Sequence, residues 1–292
     1  MVVMKNEFDI KSNDNTLFTT SQCNNNCIMC CQPPTKDDDI EELFHRNVEI
    51  IKSSPKELPV IGISGGEPTL LGERLIDLVK IICQELPNTQ IHLLSNGRNF
   101  KDYTYAHKII HECKDKLTIG IPLHSDYHKD HDIIAGAKNA YYETITGMFN
   151  LASYGANIEL RIVINKLNYQ RLSQIAEFIH KNLPFVRWTA FMGMEHTGYA
   201  EKNDNSVWIE PIEYTQQLVE ATKILAQWNM DISIYNIPLC LLPKEIHEYA
   251  CRSISDWKVT YTNTCTTCKL KEQCCGLFET SKRTYKGLKT IN

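Results

Sequence analysis

Thr16-Leu17-Phe18-Thr19-Thr20-Ser21-Gln22-Cys23-Asn24-Asn25-Asn26-Cys27-Ile28-Met29-Cys30 sets a short β-rich run directly before three cysteines spaced Cys-x3-Cys-x2-Cys. The run predicts a strand over 16–20, so the cysteines fall in a loop at its carboxyl end. Active sites of parallel α/β folds gather at that end. Soft thiolates at short spacing select zinc or an iron–sulfur cluster. Three ligands would leave one iron of a cubane open to a substrate or cofactor. The alternative is a zinc knuckle completed by Cys31 or by a distant ligand. Cys30 and Cys31 are adjacent and would be strained on one cluster, so Cys31 reads as a bystander.

Outward from this run the same rhythm repeats. Short apolar stretches rich in β-branched or aromatic residues predict strands over 60–64, 90–95, 117–123, 158–164 and 185–191. Helical periodicity falls between them, over 40–53, 72–86, 102–112, 141–154 and 172–182. Six β-then-α units imply a parallel sheet with helices outside it. Six are fewer than the eight of a closed barrel. The expected fold is therefore α/β, a partial (β/α)6 TIM-like barrel with a small C-terminal cysteine-rich extension. The polar stretch 201–206 reads as a linker. It divides an expected barrel domain, 1–204, from an extension, 205–292, that opens with a helix over 211–229 and a strand over 231–235. So short an extension holds little core of its own, and a metal would help hold it together.

Composition narrows the function. The chain has 292 residues with 42% hydrophobic and 23% charged residues, an ordinary globular balance that excludes disorder. No apolar stretch is long enough for a membrane helix, and charge follows the first residues too soon for a signal peptide. A cytoplasmic protein is expected, with its thiols reduced. Twelve cysteines then point to metal or redox chemistry rather than to staples. A net charge of -4 gives no basic field for nucleic acid.

The cysteines are unevenly placed. A second group, Cys265-x2-Cys268-x5-Cys274-Cys275, lies near the end, with Cys240 and Cys251 before it. Cys83 and Cys113 stand alone between the groups and read as small hydrophobes packed in the core. His124, His128 and His131 have a spacing that could bind a metal, but they read as a loop with a turn at His131-Asp132. His124 could also stand near a substrate.

Cys23-Asn24-Asn25-Asn26-Cys27-Ile28-Met29-Cys30 resembles the cluster-binding signature of radical S-adenosylmethionine enzymes. Gly65-Gly66-Glu67-Pro68, directly after the second strand, resembles that superfamily's glycine-rich motif. The resemblance implies a catalytic [4Fe-4S] cluster on Cys23, Cys27 and Cys30 and S-adenosylmethionine on the open iron. One electron would cleave the cofactor, and a 5'-deoxyadenosyl radical would take a hydrogen from the substrate. It also implies cofactor contacts. Gly65 and Gly66 would let backbone approach the cofactor and permit positive φ. Glu67 would accept from the methionine ammonium, and Ser95 and Asn96 would form a polar patch beside it. Ser125 would meet the ribose, Arg161 the carboxylate, and Met29 the adenine, where the family often has an aromatic residue.

The Cys265–Cys275 group resembles the SPASM and shorter twitch extensions of peptide-modifying radical enzymes, which carry auxiliary iron–sulfur clusters. One second [4Fe-4S] cluster is expected, on Cys265, Cys268, Cys274 and either Cys240, the favoured choice, or Cys251. A structural zinc on the same thiolates is the alternative. The first cysteine loop together with Arg252-Ser253-Ile254-Ser255-Asp256-Trp257-Lys258 resembles the maturases of His-Xaa-Ser peptide systems, the HxsC family. Cys31 departs from that pattern, which usually has serine. The implied function is hydrogen abstraction from a ribosomally synthesised precursor peptide, with flavodoxin or ferredoxin as electron donor. With no winged-helix domain visible, leader binding would fall to another surface or a separate protein. The alternatives are a radical enzyme acting on a small molecule such as a purine precursor, and a non-catalytic zinc module.

Overall fold

The computed structural model describes residues 8–12 and 14–292. Seven strands stand side by side in chain order: β1 (Thr16–Phe18), β2 (Val60–Ser64), β3 (Gln90–Leu94), β4 (Leu117–Pro122), β5 (Asn157–Val163), β6 (Trp188–Met192) and β7 (Asp231–Tyr235). Pairing is parallel from β1 to β4 and between β6 and β7. The order follows the sequence because a helical crossover after each strand returns the chain to the same end of the sheet. The expected α/β architecture is present with one strand more than six units supply. β7, read from sequence as part of the extension, pairs with β6 along five residues, so the main sheet continues past residue 204.

Burial alternates along the strands, as a two-residue repeat requires. Ile61, Ile63, Ile91, Leu93, Leu117 and Ile119 are all fully buried. Between them Gly62, His92 and Thr118 stand opposite one another on the other face, which is only half-buried. On it His92 Nε2 meets Oε2 of the fully buried Glu159 at 2.6 Å.

The chain divides into two compact units. The first comprises residues up to Asn26, 32–122 and 137–159. Its helices are α1 (Ile40–Ser53), α2 (Glu73–Glu85), α3 (Tyr103–Cys113) and α5 (Ala140–Ser153), each within one or two residues of its expected range. Asp102 starts α3 by accepting from the backbone N–H groups of Thr104 and Tyr105. α5 packs closely on the single 3-10 turn Arg98–Lys101 that follows β3. Cys83 on α2 and Cys113 at the end of α3 form a disulfide, with Cα atoms 6.6 Å apart. That corrects their reading as reduced packing thiols: the two helices pack side by side and bring the sulfurs together.

The second unit comprises residues 27–31, 123–136 and 160–292. The histidine stretch read as a loop contains a helix, α4 (His128–Ala135), with His131, Ile134 and Ala135 buried. The stretch 201–206 is not an open linker either; α7 (Tyr199–Lys202) and α8 (Asp204–Val207) occupy it. α6 (Leu172–Asn182) packs on α9 (Pro211–Gln227). Pro211 fits the first turn of α9, where its missing N–H has no partner to lose, and Glu210 and Glu213 form a capping box. β6 starts three residues later than expected because Leu183–Val186 closes a turn. A two-stranded antiparallel pair, β8 (Val259–Thr260) and β9 (Leu277–Phe278), packs with Ile254 and Cys275, so Cys275 serves as core. Among the described residues no helix is long and apolar enough to cross a membrane.

Candidate functional site

In the first unit, the loops after β1, β2 and β3 are bonded into one structure. Gly66 N donates to Thr20 O and Glu67 N to Gln22 O, which lays the loop leading to Cys23 across the glycine motif. A Cβ on Gly66 would collide with the Gln22 carbonyl, and one on Gly65 would lie 2.7 Å from Thr20 O. Neither glycine has a positive φ. They are required by backbone crossing backbone, not by a left-handed conformation as the sequence suggested.

Glu67 is 1% exposed. Its Oε1 accepts from Thr69 N (3.0 Å), Thr69 Oγ1 (2.6 Å) and Ser95 Oγ (2.7 Å), and its Oε2 from Asn96 N (2.6 Å). Burial pushes its carboxyl above the usual range, although all these donors favour the ionised form. Protein donors thus engage the carboxylate expected to face an ammonium, leaving one partner on Oε2. Glu67 ties the end of β2 to the end of β3.

Asn96 turns toward the cysteine loop. Its Nδ2 donates to Asn24 Oδ1 at 2.6 Å and lies 4.0 Å from Cys23 Sγ. Arg98, which sequence reasoning missed, is the larger clamp. Its Nη1 donates to Asn24 O at 2.5 Å and to Asn25 Oδ1 at 2.8 Å, while its Nε donates to Glu143 Oε2 on α5 at 2.7 Å. Hydrogen bonds to a charged group contribute roughly 1.5–3 kcal/mol each. Arg98→Ala is therefore expected to loosen the Cys23–Cys27 segment and lower the iron held after anaerobic reconstitution, with Arg98→Lys recovering part of it. An adjacent Arg after Ser-Asn-Gly was the only sequence signal available, and it names no partner.

In the second unit, Ile28 N donates to Ile134 O at 3.0 Å, and Cys30 O accepts from Tyr199 N at 2.8 Å. Met29 is buried. Cys27 Sγ lies 3.9 Å from His124 Nε2. Ser125 is fully buried and its Oγ accepts from Tyr127 N at 3.2 Å. Arg161 is half-buried on β5, and its carbonyl accepts from Leu123 N.

The later cysteines meet in this unit. Cys240, Cys265, Cys268 and Cys274 all line one small cavity with Pro238, Leu239 and Tyr261. Cys251 is exposed and is not in that lining. Leu239 N donates to Cys274 Sγ at 3.4 Å, and Tyr261 Oη to Cys274 O at 3.2 Å. The Cys275 hydrogen bond pulls the Cys274 thiol down to about 6, against its burial, whereas burial pushes Cys240 up. Four thiols around a cavity suit a thiolate-held cluster by donor type. Among the described residues no group of three or more His, Cys, Asp or Glu side chains is gathered as a single-ion site.

A GTP 3',8-cyclase from Campylobacter jejuni subsp. doylei is 26% identical to this chain over 232 residues, 73% of this chain and 68% of that protein. Native anSMEcpe with bound AdoMet shares the fold at a TM-score of 0.60 and 15% identity, over 94% of this chain and 92% of that one. Streptococcus suis SuiB bound to S-adenosylmethionine matches at a TM-score of 0.57 and 16% identity; the match covers 75% of this chain but only 49% of SuiB. The family model described as the Radical SAM superfamily matches residues 17–179, from β1 to the later turns of α6. That span holds the three-cysteine loop, the crossed glycine motif and the β3 clamp, and with it the chain belongs to the radical SAM superfamily.

Proposed function

We propose that this protein is a radical S-adenosylmethionine maturase that abstracts hydrogen from a ribosomally synthesised peptide. The observation that carries the reading is the cavity lined by Cys240, Cys265, Cys268 and Cys274, a second group of cysteines outside the superfamily match. We assign a catalytic [4Fe-4S] cluster to Cys23, Cys27 and Cys30 and an auxiliary one to those four. When bound, the first cluster supplies the electron that cleaves S-adenosylmethionine to a 5'-deoxyadenosyl radical.

The chain's own residues bind and orient. Arg98 and Asn96 hold Asn24 and Asn25 between the first two thiols. Glu67 fixes Ser95 and Asn96, and its carboxylate would be the acceptor for an ammonium group. Arg161 answers the carboxylate, Ser125 the ribose and Met29 the adenine. Residues after β7 form the twitch-like part of the chain. SuiB has also been solved with its precursor peptide SuiA, and anSMEcpe with a Cp18Cys peptide, which supports a peptide substrate here. A flavodoxin or ferredoxin would deliver the electron.

The GTP 3',8-cyclase relative favours a second reading, a nucleotide-like small molecule. One experiment separates them. Reconstituted protein, reductant and S-adenosylmethionine are combined with either the peptide encoded by a neighbouring small open reading frame or GTP. A mass change in the peptide, with 5'-deoxyadenosine formed in step, supports the maturase. Consumption of GTP with the peptide unchanged overturns it.

A further inference from the structure

We infer that His124 donates a hydrogen bond from Nε2 to the Cys27 sulfur and thereby sets the reduction potential of the cluster that this sulfur would hold. The inference rests on membership of the superfamily and on the assignment of Cys27 as a ligand, and not on the identity of the substrate.

His124 is 2% exposed, and its Nε2 lies 3.9 Å from Cys27 Sγ, within reach of a hydrogen bond to sulfur. Its backbone is held at both ends. His124 N donates to His131 Nδ1 at 3.2 Å, and His124 O accepts from Asn168 Nδ2 at 3.0 Å. Asn168 is itself fully buried and fixed, donating to Val163 O and accepting from Asn165 N. The cysteine loop is tethered to the same place, since Ile28 N bonds to Ile134 O at the end of α4. Neither the histidine backbone nor residue 28 next to Cys27 is therefore loose.

The ring's other nitrogen identifies the donor. Among the described residues His124 Nδ1 is buried and finds no hydrogen-bond partner. A neutral imidazole carries one N–H. Among the described residues the ring's one hydrogen-bond contact is the Cys27 sulfur, and a thiolate bound to iron offers lone pairs and no proton. The proton therefore sits on Nε2, and Nδ1 keeps a bare lone pair, with the His131 ring centred 5.0 Å from that of His124. Buried polar atoms left unpaired call for a reason, and donation to the cluster sulfur supplies one. Hydrogen bonds to cluster sulfurs withdraw electron density and ease reduction.

The test compares wild-type protein with His124→Leu, His124→Phe and His124→Gln after anaerobic reconstitution. The readout is the midpoint potential of the cluster whose electron paramagnetic resonance signal responds to added S-adenosylmethionine, together with iron per chain. The leucine and phenylalanine variants are expected to hold iron but shift to a more negative potential. Glutamine, which keeps an N–H donor, is expected to lie closer to wild type. Should leucine fail to hold iron, the phenylalanine variant, which keeps a flat aromatic ring, gives the reading. An unshifted potential in a donor-free variant with full iron overturns the inference. So does a glutamine variant shifted as far as the donor-free ones.

Discussion

Gly66→Ala is expected to remove the first cluster and the reductive cleavage of S-adenosylmethionine together. The new methyl group would enter the space occupied by the Gln22 carbonyl, one residue before Cys23. Backbone cannot rotate away as a side chain can, so the crossing of the two loops must open. With it go the bonds from Gly66 N to Thr20 O and from Glu67 N to Gln22 O. Overpacking of this kind costs about 1–3 kcal/mol, which the whole chain can absorb, whereas the loop that carries Cys23 cannot keep its place. The variant should fold, as circular dichroism would show. It should bind about half the wild-type iron, since only the second site remains, and form no 5'-deoxyadenosine. Wild-type cleavage in a folded Gly66→Ala protein would show that the crossing does not position the first thiols.

Cys268→Ala is expected to have the complementary effect. Cys268 lines the second cavity with Cys240, Cys265 and Cys274, far along the chain from the glycine motif. Losing one of four ligands should remove the auxiliary iron, about four atoms of eight. The first site should still cleave S-adenosylmethionine, uncoupled from substrate, while peptide modification disappears. The check is to quantify 5'-deoxyadenosine and modified peptide in the same reaction. Peptide modification at the wild-type rate would remove the second cavity from the reaction.

The strands β2 to β5 were legible because each alternates buried aliphatic residues with smaller or polar ones, and that period needs no knowledge of neighbours. The place of β7 was not. Its sequence predicted a strand, but whether residues 231–235 extend the main sheet or belong to the cysteine-rich segment is decided by pairing with β6. α4 escaped because it is only eight residues long and its histidines and aspartates obscure the buried face formed by His131, Ile134 and Ala135. The disulfide escaped for a different reason: Cys83 and Cys113 sit on separate helices 30 residues apart, and each alone has the pattern of a packing residue.

The site divides the same way. Three cysteines in eight residues stand out as a candidate ligand set, because residues this close in sequence cannot lie far apart in space. Glu67, Ser95 and Asn96 were visible as polar strand-end residues, but their bonds to one another, and the Arg98 clamp on Asn24 and Asn25, depend on which loops meet. The choice between Cys240 and Cys251 was open in sequence. The turn after β7 brings Cys240 to the cavity with Cys265, Cys268 and Cys274, while Cys251 is exposed outside its lining.

The most direct measurement is the metal content of the wild-type chain after anaerobic reconstitution and removal of unbound metal. The two-cluster account predicts about eight irons per chain with matching sulfide and little zinc. About four irons with one tightly held zinc would contradict it, leaving a radical enzyme whose second site is structural.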